Sequence, residues 1–255
     1  MKRRIRPIAI VILALIMTVG AAWFVLTRPV TIRRGVDYRI TEIQMPLYLK
    51  LLAYVHRHFE YRQLARRLVD GMSDREEKIL TLFEWTRKNV RPIPKGYPIV
   101  DDHVWDIIVR GYGSQDQAAD VFATLCAYAG IPAHFGFACT PKKNSCVGVA
   151  FVQLPNGSFG LFDPHYGVAV RHPDGRLASI EEIRTDQSLL ERTDPALAGY
   201  AKYFEKLPKV SVDTASRTSC NMPLRRLFIV MTGGQCGRRN LNRILEVFKD
   251  AKPTR

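Results

Sequence analysis

Acidic residues are missing from the first 27 positions of this 255-residue chain, which carry four bases instead. Cysteine is scarce as well, with five in all. None forms a Cys-x-x-Cys pair or stands at a spacing from histidine that would hold zinc or iron, so neither a metal nor a cofactor is expected. Internal repeats and low-complexity stretches are lacking too. That leaves a chain long enough for one ordinary domain with appendages.

The formal charge of +14 suggests nucleic acid until it is divided along the chain. Residues 29–200 hold 21 bases against 20 acids, whereas residues 201–255 hold 12 against 4. The middle is therefore neutral and the excess sits at the two ends. In the tail, Arg217, Arg225, Arg226, Arg238, Arg239 and Arg243 are dense. Arginine suits bidentate contact with phosphate or carboxylate, so Arg225, Arg226, Arg238 and Arg239 are a candidate basic surface for an anionic lipid or glycan, the alternative being an ordinary solvated face. No recognised nucleic-acid-binding motif accompanies them.

At the other end, Lys2, Arg3, Arg4 and Arg6 precede an uncharged apolar run from Ile8 to Leu26. Nineteen residues at about 1.5 Å rise nearly cross a hydrocarbon core of roughly 30 Å. Trp23 stands where an interfacial anchor would, and the positive-inside rule puts the N-terminus in the cytoplasm. A cleaved signal peptide is the competing reading, with Val19-Gly20-Ala21 as the cleavage site. The apolar run continues past that site through Trp23 to Leu26, which favours an uncleaved anchor. The expected location is the plasma (inner) membrane, single-pass, with the main domain extracytoplasmic.

Thr31 to about Asp37 reads as a short tether. Ile43 to Asp70 reads as a helix with Pro46 in its first turn, and Ser73 opens a second helix running to about Asn89. Residues 91–102, with three prolines and a glycine, read as a loop. The most strongly patterned stretch is Arg110 to Ala133. Gly111 and Gly113 make a flexible turn, and Ser114 with Gln117 forms a capping box. Ala118, Val121, Phe122, Leu125, Cys126 and Ala129 then recur at helical spacing, until Gly130 and Pro132 end the helix. Ala133–Cys139, Val147–Leu154 and Ser158–Phe162 read as strands, the last two joined at Pro155-Asn156-Gly157. Helices capped at Ser179 and near Pro195–Leu207 follow, and Leu227–Met231 reads as a short strand. Cys139 and Cys146 flank a short turn and would bridge in an oxidising compartment. Cys220 and Cys236 are a weaker second pair, and Cys126 reads as a small hydrophobe.

These segments resemble the transglutaminase-like superfamily, with its papain-like fold. Gly113-Ser114-Gln115 stands where that family opens its core helix on Gly-x-Cys, and Gly130-Ile131-Pro132-Ala133 matches its closing turn. Leu161-Phe162-Asp163-Pro164 is similar to the segment carrying the triad Asp. The resemblance covers roughly residues 75 to 185 and implies an α+β fold, a central helix packed on an antiparallel sheet. N-terminal helices and a single transmembrane anchor precede it. With the charge pattern and the apolar run, the expected layout is residues 1–7 a cytoplasmic stub, 8–27 the anchor, 28–74 tether and helical lead-in, 75–207 the domain and 208–255 a basic tail. The triad positions implied are Gln115, Val147 and Asp163. Two of those three residues are not the catalytic ones, and no His lies between His134 and His165.

A cysteine hydrolase or acyl transferase needs a thiolate, an imidazole to move the proton and a group that orients it. Gln115 supplies no nucleophile and Val147 moves no proton, so no catalytic residue is expected. Ser114, Trp105 and His165 are the cleft candidates. The expected function is a membrane-anchored, inactive module that binds or scaffolds a cell-envelope partner or ligand. The alternative is an active hydrolase or acyl transferase with an unorthodox nucleophile. The charge asymmetry makes the topology testable. A reporter active only outside the cytoplasm should work when fused after Arg255, and activity of a cytoplasm-only reporter there instead overturns the orientation.

Overall fold

A computed structural model describes residues 5–36, 39–101, 103–142, 144–204, 207 and 222–231. Helix α1, Ile5–Thr27, is the apolar run, and its residues 9–27 are long and apolar enough to cross a membrane. Its large side chains stand exposed, Trp23 at 70%. The expected tether is instead a hairpin. Strands β1 (Pro29–Val36) and β2 (Arg39–Pro46) pair antiparallel from Pro29↔Pro46 to Val36↔Arg39. Val30, Ile32 and Val36 give β1 its β-branched character, which outweighs the turn signal of Gly35. Two further pairs, Gly35↔Asp101 and Val36↔Val100, join β1 to β4 (Val100–Asp101).

Helix α2, Leu47–Leu68, starts four residues later than expected, because Pro46 caps it from outside rather than sitting in its first turn. Helix α3 is Arg75–Asn89, and its cap is Asp74 rather than Ser73. The Asp74 carboxylate accepts from the Glu77 N–H at 2.8 Å, a stronger acceptor than a hydroxyl for a free helix N–H. Strand β3 (Arg91–Pro92) pairs parallel with β5 (Tyr112–Gly113) on either side of α4 (Val104–Arg110). Gly111 ends α4 with φ +76°, a left-handed conformation that glycine takes without strain.

The central helix is α5, Gln115–Tyr128. It packs on a four-stranded antiparallel sheet in the order β6-β7-β8-β9: Ala133–Cys139, Cys146–Gln153, Phe159–Asp163 and Val168–Ala169. Alternation along the strands sorts two cores. Ala150, Val152 and Phe162 join Val121, Phe122, Leu125 and Cys126 of α5, with Ile79, Leu82 and Phe83 of α3 behind. Val149, Phe151 and Leu161 face the other way, towards α6 (Ile180–Thr185) and α7 (Ser188–Thr193). The 3-10 helix Pro195–Tyr200 and α8 (Ala201–Phe204) complete that second layer. Cys139 and Cys146 sit directly opposite on β6 and β7 and form a disulfide. Cys126 is free and buried. The Cys220–Cys236 pair lies outside the described residues, as do Arg217, Arg238, Arg239 and Arg243.

Leu227–Met231 is not a strand. It ends helix α9, Pro223–Met231, which packs on α2. Pro223 suits a first helical turn, and Leu224, Leu227 and Phe228 recur at helical spacing.

Aromatic side chains and one acid fill the α2–α5 junction. The Tyr61 ring lies 5.3 Å from that of Tyr128, and its hydroxyl accepts from the Trp105 N–H at 2.8 Å. His58 Nδ1 is 3.0 Å from the Tyr128 hydroxyl. Burial, reinforced by the neighbouring Asp116, pushes the Asp120 carboxyl up to about 7. Below about pH 4 both folded and unfolded chains hold that proton. Between there and pH 7 only the folded chain does, so this group's contribution to stability falls as pH rises across that window. Asp120→Asn should therefore stabilise the protein at pH 8 by about 1–3 kcal/mol. Urea titrations should show the gap closing as pH is lowered towards 4, and a gap independent of pH would refute the assignment.

Candidate functional site

Beta strand β7 meets the first turn of α5 backbone to backbone. A side-chain carbon added at Gly148 would fall 2.6 Å from the Asp116 Cα, so only glycine permits the approach. This contact seats the start of α5 over the sheet, with Gln115 as its first residue. The turn before it is fixed from both sides. Gln117 Oε1 accepts from the Ser114 N–H at 3.0 Å, closing the capping box, and Gln117 Nε2 donates to the Val100 carbonyl at 2.5 Å. The Ser114 hydroxyl donates to the Asp116 carboxylate.

At the end of β8, Asp163 is completely buried. Its carboxylate is matched by four donors. The main-chain N–H groups of His165 and Tyr166 donate to Oδ1 at 3.0 and 3.2 Å. Oδ2 accepts from the Tyr200 hydroxyl at 2.6 Å and from the Gln115 side-chain amide. Burial first, then the bond to Asp163, raises the Tyr200 hydroxyl well above the ordinary tyrosine range. It therefore stays a proton donor at any physiological pH.

Val147 lies on β7 opposite Ala138, half-buried against the second core. By alternation it shares a sheet face with Val149, as Asp163 does with Leu161. The position where an imidazole was expected is thus on the face that holds Asp163, and it is aliphatic. His165 meets Asp163 through its main chain rather than its ring. That ring packs edge-on to Tyr166 at 4.8 Å, and its Nδ1 is buried without a hydrogen-bond partner among the described residues. Trp105 packs its ring against Tyr61 and His56 of α2, at 5.9 and 6.4 Å.

The structure therefore brings together Gln115, Asp163 and the backbone of His165, and sets the ring of Trp105, on α4, against α2. Sequence reasoning missed Tyr200. Nothing local marks it, since it lies 37 residues beyond Asp163 in a segment expected only to close the domain. Among the described residues, no group of three or more His, Cys, Asp or Glu side chains is arranged to hold a metal ion.

Residues 62–176 match the family described as the transglutaminase-like superfamily. The match covers 115 of the 255 residues, fewer than half, and makes this stretch similar to that family. Two solved structures are similar to part of the chain. A candidate cysteine protease from Cytophaga hutchinsonii is 18% identical with a TM-score of 0.37, matching 50% of this chain and 45% of its own. A candidate protease from Parabacteroides distasonis is 14% identical with a TM-score of 0.34, matching 53% of this chain and 36% of its own. The chain thus spans less than half the length of either structure. No curated protein matches it significantly.

A buried carboxylate deprived of a donor carries a desolvation cost, which makes this network testable. Gln115→Leu and Tyr200→Phe should each destabilise the protein by about 1–3 kcal/mol in thermal or urea unfolding. Gln115→Glu, which sets a second carboxylate against Asp163, should cost more than Gln115→Leu at neutral pH. Neutral behaviour of all three would mean the network holds nothing in place.

Proposed function

We propose that this protein is a membrane-anchored, extracytoplasmic transglutaminase-like domain that binds or scaffolds a cell-envelope partner and does not turn over substrate. One observation carries the reading: the amide of Gln115, at the nucleophile's place, donates straight to Asp163. A catalytic cysteine there would have needed an imidazole between itself and that carboxylate to take and return its proton. The residue at the imidazole's place is Val147. The amide thus occupies the acceptor that a catalytic histidine would use, and the carboxylate serves as a structural anchor. Ser114 gives no substitute route, because its proton is held by Asp116 rather than by a ring nitrogen. The Cys139–Cys146 disulfide and the base-rich, acid-free start of the chain support an oxidising compartment beyond the membrane.

The wild-type protein should show no amidase, protease or acyl-transfer activity, and thiol-directed probes should leave position 115 unlabelled. Gln115→Cys alone should stay nearly inactive, since a thiol without a base sits mostly protonated near its ordinary pKa of about 8.5. Only Gln115→Cys combined with Val147→His could present a thiol and an imidazole alongside Asp163. Turnover by the wild type that survives loss of Gln115, but not of Ser114 or His165, would instead establish an unorthodox nucleophile.

A further inference from the structure

Helix α2 buries few of its residues, and what it leaves outside follows a pattern. Tyr48, Leu52, Val55 and Phe59 are 39, 58, 37 and 57% exposed. Their spacing of four, three and four places them on one helical stripe about 17 Å long. Leu49, at 42%, widens it. Beyond Phe59 the exposed surface changes character, because Arg62, Gln63, Arg66 and Arg67 follow, all exposed. The helix as a whole has Lys50, Arg57, Arg62, Arg66 and Arg67 against the single acid Glu60. The apolar stripe begins beside the end of α1. The Leu47 N–H donates to the Arg28 carbonyl at 2.9 Å, one residue past the end of α1.

We infer that α2 is a second membrane contact, an interfacial helix whose apolar stripe enters the bilayer surface while the bases beyond Phe59 meet anionic lipid headgroups. The inference rests on α1 being an anchor. An exposed apolar row on a water-facing helix is costly, and it ends where a basic segment begins. Its start is held at the bilayer exit by the Leu47–Arg28 bond, which places lipid rather than a distant partner against it. Polybasic segments beside a span are drawn to anionic leaflets, which sets the sign of the lipid. The stripe and the bases together tilt the domain to one fixed attitude on the membrane.

The test uses the full chain in nanodiscs of mixed zwitterionic and anionic phospholipid, with Cys220→Ser and Cys236→Ser so that neither position can take the label. Nitroxide labels at Leu52→Cys, Phe59→Cys and Arg67→Cys are compared with one at Ile16→Cys within α1. Power saturation with oxygen and with a water-soluble nickel chelate then reports depth at each. Positive depth at 52 and 59, with negative depth at 67, is expected. The label at 16 separates the two readings. If it lies in water, the anchor reading fails. If it is deep while 52 and 59 are open to nickel, the interfacial helix alone fails. Labels at 52 and 59 shielded from both reagents would mean a second copy or another protein covers the stripe, which also overturns the inference. Raising the anionic lipid fraction should shift 59 deeper, and no shift would overturn the role given to the bases.

Discussion

A carboxylate shut off from water must find a donor for each direction in which it would have held one, and Asp163 recruits its donors from three parts of the chain. Two come from the turn after β8, one from the first residue of α5 and one from the 3-10 helix that follows α7. The bond to Tyr200 ties the outer helical layer to the sheet, and the bond to Gln115 ties the central helix to the same point. Removing the charge from that point would leave these elements to be aligned by apolar packing, which is less directional. The central helix and the outer helical layer therefore meet at one acceptor, Oδ2 of Asp163.

The central part of this arrangement was legible in the sequence because it rests on local signals. The capping box at Ser114 and Gln117, the apolar repeat of α5, the stop at Gly130 and the hairpin at Asn156-Gly157 are each written within a few residues. The strand Ala133–Cys139 has the bounds its composition gave it. Cys139 and Cys146 could be paired from the turn between them. What escaped was set by distant partners. The hairpin of β1 and β2 needs a strand partner that only folding supplies, so its first strand looked like a tether. Leu227–Met231 has apolar residues fit for either state, and its packing on α2 settled it as helix. Tyr200 joins Asp163 across 37 residues with no motif to announce it.

The same contrast holds within the candidate site. Position 115 could be read as lacking a nucleophile, because residue type alone decides that. What the glutamine does instead could not be read, because its amide might have faced solvent, the helix end or the sheet. Gly148 is the hidden determinant, since it lets β7 approach the first turn of α5 closely enough for that amide to reach β8.

The pairing of β1 with both β2 and β4 bears on how the molecule transmits force. Val36 of β1 aligns with Val100, and the Val100 carbonyl holds Gln117, two residues from Gln115. From the end of α1 the path to the first turn of α5 thus runs along strand β1, across its pairing with β4, and through one amide hydrogen bond. A displacement of α1 would therefore be felt at Gln115 through paired strands. The domain is mounted less like a ball on a string than like a gauge bolted to its base plate.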